Sequence, residues 1–147
     1  MMELNQDFRE FIELLNSNEV EYLVVDGYAV GFHGSPRFTG DIDFWLAISR
    51  TNASKIMKVL SDFGFTSLDI TEDDFLNQDL IIQLGYEPVR IDLLTSVTGL
   101  NFQDCFPRRM EADFSGLKVN FIHLNDLKIN KSLTGRNKDL GDLDSLK

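Results

Sequence analysis

The run Asp41-Ile42-Asp43-Phe44-Trp45-Leu46-Ala47-Ile48 limits the fold of this chain more than any other stretch. A short apolar run rich in bulky residues and closed by turn signals reads as a buried strand. Its leading end nevertheless carries two carboxylates. On a strand, side chains at i and i+2 point the same way, roughly 6.6 Å apart. Asp41 and Asp43 therefore project together, and Ile42 and Phe44 face the opposite side. Like charges so placed raise each other's pKa and weaken the fold unless a cation or a basic group lies between them. Mg²⁺ or Mn²⁺ meets that need, because hard divalent ions take carboxylate oxygens and keep water at their remaining positions. Asp92, flanked by Ile91 and Leu93 in a second apolar run, can close the cluster from a neighbouring strand.

An Asp-x-Asp pair alone is more often a turn or a solvated strand end. Here the pair opens an apolar strand, follows a helix that starts after a strand-terminal glycine, and is joined by a third aspartate in a later apolar strand. Together these favour a site.

The rest of the chain alternates helices and strands. Phe8, Phe11, Ile12 and Leu15 recur at helical spacing over residues 5–15, and Asn16-Ser17-Asn18 supplies the stop. Residues 20–25 (VEYLVV) read as a buried strand meeting Asp26-Gly27, after which residues 28–33 form a short helix ending near Gly34, with Pro36 forbidding its continuation. Thr51 or Asn52 caps a helix that presents Ile56, Met57, Leu60 and Phe63 and closes at Gly64. Residues 65–70 read as a short strand and 72–77 as a short acidic helix. Residues 80–84 (LIIQL) and 89–94 (VRIDLL), separated by Gly85-Tyr86-Glu87-Pro88, predict an antiparallel hairpin. Residues 117–122 (LKVNFI) alternate like a last edge strand. A helix capped by Asn125 or Asp126 runs to about Leu133, and Gly135 ends it. A final helix from about Lys138 packs a stripe of Leu140, Leu143 and Leu146 and leaves its charges in water.

Bulk properties narrow the function classes. The 147 residues suit one domain built on one core. No apolar stretch approaches a membrane span and the start lacks the order of a signal peptide, so the expected location is the cytoplasm. Cys105 is the single cysteine, which excludes an internal disulfide and makes redox chemistry a poor expectation. Fourteen basic residues stand against 24 acidic ones, a net charge of -10 that repels a phosphate backbone and argues against extended binding to duplex DNA. Lys128, Lys131, Arg136 and Lys138 are the main basic concentration, read either as phosphate contacts across a cleft or as a solvated helix face. His33 is expected to pack or cap at a helix end, and Trp45 with the phenylalanines to fill the core.

The run Asp26-Gly27-Tyr28-Ala29-Val30, then His33-Gly34, then Pro36-Arg37-x-Thr39-x-Asp41-Ile42-Asp43 resembles the signature of the DNA polymerase beta superfamily of nucleotidyltransferases. It is most similar to the small bacterial branch that includes toxin–antitoxin nucleotidyltransferases. The ending, from Leu127-Lys128 through Gly135-Arg136-Asn137-Lys138-Asp139-Leu140-x-Asp142-Leu143, is similar to the closing helices of that branch. The resemblance implies an α+β fold, a mixed sheet packed by helices with short helices at the C-terminal end. It also implies a metal-dependent enzyme that moves a nucleoside monophosphate from a nucleoside triphosphate, ATP first among candidates, to a hydroxyl on a protein, an RNA end or a small molecule. Asp41, Asp43 and Asp92 then hold two Mg²⁺ or Mn²⁺ ions, with Asp92 as the proton acceptor. Asp26, Gly27, Tyr28, Arg37, Thr39, Lys128 and Lys131 are the candidate contacts to the nucleotide.

One position departs from that pattern. Similar sequences read Gly-Gly-Tyr-Ala where this chain reads Asp26-Gly27-Tyr28-Ala29. Asp26 either repels phosphate and costs the turn its freedom at positive φ, or reaches a metal, or simply caps the helix. The alternative function is accordingly a weakened, nucleotidyltransferase-like binding subunit acting through a partner protein, as an antitoxin does.

Overall fold

The computed structural model describes residues 4–34, 39–65, 69–86 and 89–146. In chain order these form α1 (Gln6–Ser17), β1 (Tyr22–Val25), α2 (Asp26–His33), β2 (Asp41–Leu46), α3 (Arg50–Phe63), β3 (Ile81–Tyr86), β4 (Val89–Leu94), α4 (Phe102–Cys105), β5 (Met110–Phe114), β6 (Leu117–Phe121), α5 (Leu124–Thr134) and α6 (Asn137–Ser145), with 3₁₀ turns at Glu72–Leu76 and Phe106–Arg108. The class is α+β. The strands make one six-stranded mixed sheet in the order β3-β4-β2-β1-β6-β5. Its parallel pairs are β2 with β4 and β1 with β6, and the other neighbours are antiparallel.

Burial follows the apolar patterns. α1 is capped by the Asn5 side chain and buries Phe8, Phe11, Ile12 and Leu15, each contributing roughly 1.5–3 kcal/mol relative to exposure. Phe11 meets Phe44 of β2 at 5.5 Å between ring centroids, which fixes one face of the strand against α1. Trp45 points to the other face and meets Phe102 edge-on at 5.2 Å. The opposite directions of Phe44 and Trp45 are those that strand alternation demands. Asp41 and Asp43 share the Trp45 side.

Several local readings change. Ser49, not Thr51 or Asn52, caps α3, its hydroxyl accepting from the Asn52 N–H. Asn52 faces inward instead: its amide donates to the Glu21 and Ala47 carbonyls and accepts from the Glu21 N–H, tying α3 to β1 and β2. Gly64 ends α3 in the left-handed conformation, as its position required. The acidic segment after it is a 3₁₀ turn, whereas of the strand expected over 65–70, residues 66–68 lie outside the described residues and Phe65, Asp69 and Ile70 are not in a strand. β3 and β4 pair antiparallel as expected. β6 is not the edge: β5, which carries no clean alternation, pairs outside it and takes that place. His123, not Asn125 or Asp126, caps α5. His33 closes α2 by donating from Nε2 to the Ile122 carbonyl at 2.7 Å.

The largest change is in α6. Of the expected leucine stripe, Leu146 at its end is buried and Leu143 half-buried, but Leu140 is not. Leu140 is 51% exposed, while Asp139 is fully buried and Asp142 nearly so. The buried face of this helix is acidic because a cation waits beneath it.

Candidate active site

Sheet register builds the first cluster. Asp43 of β2 stands directly opposite Asp92 of the parallel strand β4, and Asp41 opposite Arg90. One ligand oxygen from each of Asp41, Asp43 and Asp92 can be chosen so that all three lie within 4.8 Å of one another. That spread is close to the ~4.2 Å separating opposite ligands around an ion with ~2.1 Å bonds, so the three carboxylates fit Mg²⁺ or Mn²⁺ with small adjustments. The donor set is all oxygen, which suits these hard ions and not thiophilic ones. Thr39 braces the set, its hydroxyl donating to the Asp41 carbonyl at 3.2 Å and to the Asp41 carboxylate at 3.3 Å.

Electrostatics at this point are severe. Burial, then the charges of Asp26, Asp41 and Asp92, push the Asp43 carboxyl up to about 9, so at neutral pH and without a metal it keeps its proton. Arg90 supplies the compensation that the sequence reading overlooked. Its Nε and Nη2 donate to the two Asp92 oxygens at 2.8 and 3.0 Å, and Nη2 reaches Asp41 at 3.4 Å. The signal was in plain view: Arg90 precedes Asp92 by two residues and therefore shares its sheet face.

A second cluster lies beside the first. Asp26 opens α2 at φ +57, the left-handed region that favours glycine. It is the first residue of the helix, and the cap position falls to Val25. The Asp26 carboxylate accepts from Lys131 Nζ of α5 at 2.5 Å, with Lys138 at 3.6 Å. Lys131 is 1% exposed and also pairs with Asp139 at 3.2 Å and Asp142 at 3.1 Å. Asp139 is held in turn by Arg136 and by the Thr134 hydroxyl. Burial raises the Asp26 carboxyl, but Lys131, then Lys138 and Arg136, overcome it and hold the group below its ordinary range. Burial lowers the Lys131 ammonium, and Asp26 and Asp142 reverse that shift. Asp139 and Asp142 were missed because carboxylates on a terminal helix are usually solvated. Their spacing of three, which places both on one helix face, was the available signal.

Beside the second cluster is a cavity of about 540 Å³, lined by Val25, Asp26, Leu94, Val97, Lys131 and Arg136 among others. Val25 is the register partner of Asp43, and Leu94 follows Asp92 by two residues, so this hollow adjoins the aspartates. Its volume suits a drug-sized or nucleotide-sized ligand.

The other expected site residues divide. Gly27 is buried in the first turn of α2. Tyr28 packs its ring edge-on against Phe8 at 5.7 Å, and burial, then the Asp41 charge, raises its pKa. Lys128 is half-buried one turn before Lys131, and among the described residues it makes no ion pair with the second cluster. Arg37 lies outside the described residues.

No protein-family model and no curated protein matches the chain. Among the described residues, no helix is long and apolar enough to cross a membrane.

Proposed function

We propose that this chain is a nucleotidyltransferase of the polymerase beta type, transferring a nucleoside monophosphate from ATP or a similar triphosphate to a hydroxyl acceptor. One observation carries the reading: three aspartates from two parallel strands converge within 4.8 Å on the sheet face that borders a ligand-sized cavity. Mg²⁺ or Mn²⁺, when bound by Asp41, Asp43 and Asp92, supplies the charge that offsets the phosphates and the oxygen leaving from the α-phosphorus.

The remaining work falls to the chain. The acceptor oxygen forms a bond to the α-phosphorus, the bond from that phosphorus to the bridging oxygen breaks, and pyrophosphate leaves with the electron pair. Asp92 is the candidate to take the hydroxyl proton, since its carboxylate lies in the cluster. Gly27 gives the backbone close access at the start of α2, where N–H groups favour anions. Val25, Leu94 and Val97 offer apolar surface for a base.

A second reading is favoured by Asp26. Its negative charge stands at the helix start where a phosphate would sit, and it engages Lys131. A weakened binding subunit with a partner protein would retain such a pairing. Incubation with α-phosphate-labelled ATP, Mn²⁺ and a cell lysate separates the two. Label transferred by the wild type and not by Asp41→Asn/Asp43→Asn supports the enzyme. Nucleotide binding without transfer supports the subunit.

A further inference from the structure

Arg90 is the residue that neither the motif nor the proposed reaction uses, although it touches two of the three candidate metal ligands. Its planar fork lies side-on to Asp92, engaging both carboxylate oxygens, and the same Nη2 lies 3.4 Å from Asp41. The guanidinium thus lies between two carboxylates that come from neighbouring strands. A divalent ion bound by those oxygens needs the same lone pairs and meets a like charge at short range.

We propose that Arg90 is an exchangeable counter-cation: it neutralises the aspartates before the reaction, yields them to the divalent ion, and turns its guanidinium to the phosphates of the incoming triphosphate. The inference rests on the nucleotidyltransferase reading. Three features support it. Arg90 is one-quarter exposed, so its head group has a route toward solvent, whereas Asp92 is buried. Asp41 and Arg90 are register partners, so a short swing keeps the guanidinium beside the metal ligands, where a bound triphosphate would extend. Guanidinium matches phosphate as well as carboxylate, two N–H groups to two oxygens, so the exchange conserves the type of bond made.

The exchange makes a distinctive demand on the energetics. Metal alone must displace the guanidinium from Asp92 and Asp41, so metal binding is weak. Triphosphate bound with the metal offers the guanidinium phosphate oxygens, so the two bind cooperatively. An arginine that merely held Asp92 in position would do the opposite, because its removal would loosen a ligand and weaken metal binding.

Mn²⁺ titration followed by electron paramagnetic resonance of the free ion tests this without reference to turnover. Arg90→Gln should bind Mn²⁺ alone ~10-fold more tightly than wild type, the scale of one lost competing ion pair. In wild type, a triphosphate analogue with a methylene bridge between the α- and β-phosphates should tighten Mn²⁺ binding, and in Arg90→Gln that enhancement should shrink. Arg90→Lys, which keeps the charge but not the fork, should fall between the two and covers the case in which the glutamine protein fails to fold. Equal or weaker Mn²⁺ binding by both variants overturns the exchange and leaves Arg90 as a support for Asp92. Absence of Mn²⁺ binding in wild type and both variants, matching the Asp41→Asn/Asp43→Asn control, instead defeats the nucleotidyltransferase reading itself and the exchange with it.

Discussion

Asp26 and Lys131, 105 residues apart in sequence, form a short ion pair that joins the start of α2 to α5. On the proposed reading the pair bears on nucleotide binding, because Asp26 holds the buried Lys131 and stands at φ +57. Asp26→Gly relieves a left-handed conformation that costs an L-residue on the order of 1 kcal/mol, but it also removes one of three carboxylates around Lys131. These effects oppose each other in stability and reinforce each other in binding. Calorimetric titration with ATP and Mg²⁺ should show a several-fold gain in affinity for Asp26→Gly. Asp26→Asn, which removes the charge but keeps the side chain at positive φ, should give a smaller gain. Unchanged affinity in both would place the phosphates away from Asp26.

Lys131 itself is the most consequential single cation. Lys131→Met would leave Asp26, Asp139 and Asp142 together without their central partner, and breaking a buried pair in this way costs about 3–5 kcal/mol. Urea unfolding at pH 7 should show that loss. Carboxylates left without the lysine gain raised pKa values in the folded state, so the variant's penalty should shrink as pH falls toward 4. A loss that is independent of pH would point to packing rather than charge.

Asp43 gives metal-free stability an unusual slope. Its folded pKa, raised to about 9 by burial and then by Asp26, Asp41 and Asp92, lies above the ordinary carboxylate value expected for the unfolded chain. The folded state therefore binds the extra proton between those values, and stability from this group is lost as pH rises through about 9. Melting temperature without metal should fall from pH 6 to pH 9 through this group, and Asp43→Asn should flatten that component. Mn²⁺ should raise the melting temperature of wild type, most at the upper end of the range, and leave Asp41→Asn/Asp43→Asn unmoved. Equal shifts in both proteins would identify non-specific ion binding.

The contrast between the two clusters explains what the sequence made legible. Asp41 and Asp43 were readable as a same-face pair because strand alternation is local, and Asp92 because it interrupts an apolar run. Even the adjacency of β2 and β4 followed from seeking a third carboxylate. The Asp26, Lys131, Asp139 and Asp142 cluster joins α2 to α5 and α6 far along the chain, and no local pattern states which charges will meet. α6 illustrates the cost. Leu140, Leu143 and Leu146 repeat as regularly as a core stripe, but Asp139 and Asp142 repeat with the same spacing, and the position of Lys131 turns them inward with Leu146 and leaves Leu140 exposed. β5 was unreadable for a simpler reason: as an edge strand with exposed Met110 and Glu111, it lacks the apolar continuity of an inner strand.

The seat of α6 also depends on a glycine that is not in a turn. Gly34, at the end of α2, has φ -118 and so lies outside the left-handed region. A Cβ at that position would nevertheless come within 2.6 Å of the Ser145 carbonyl oxygen at the end of α6. That atom belongs to backbone and cannot rotate away, so α6 must shift, carrying with it Asp139 and Asp142. Gly34→Ala should therefore destabilise the protein by about 1–3 kcal/mol, the usual cost of overpacking. The displacement should also loosen the enclosure of Lys131, which amide hydrogen exchange would report as reduced protection in α6 relative to α1. If the variant lost stability with α6 protection unchanged, the clash would be absorbed within α2 and the two ends of the cluster would be mechanically independent.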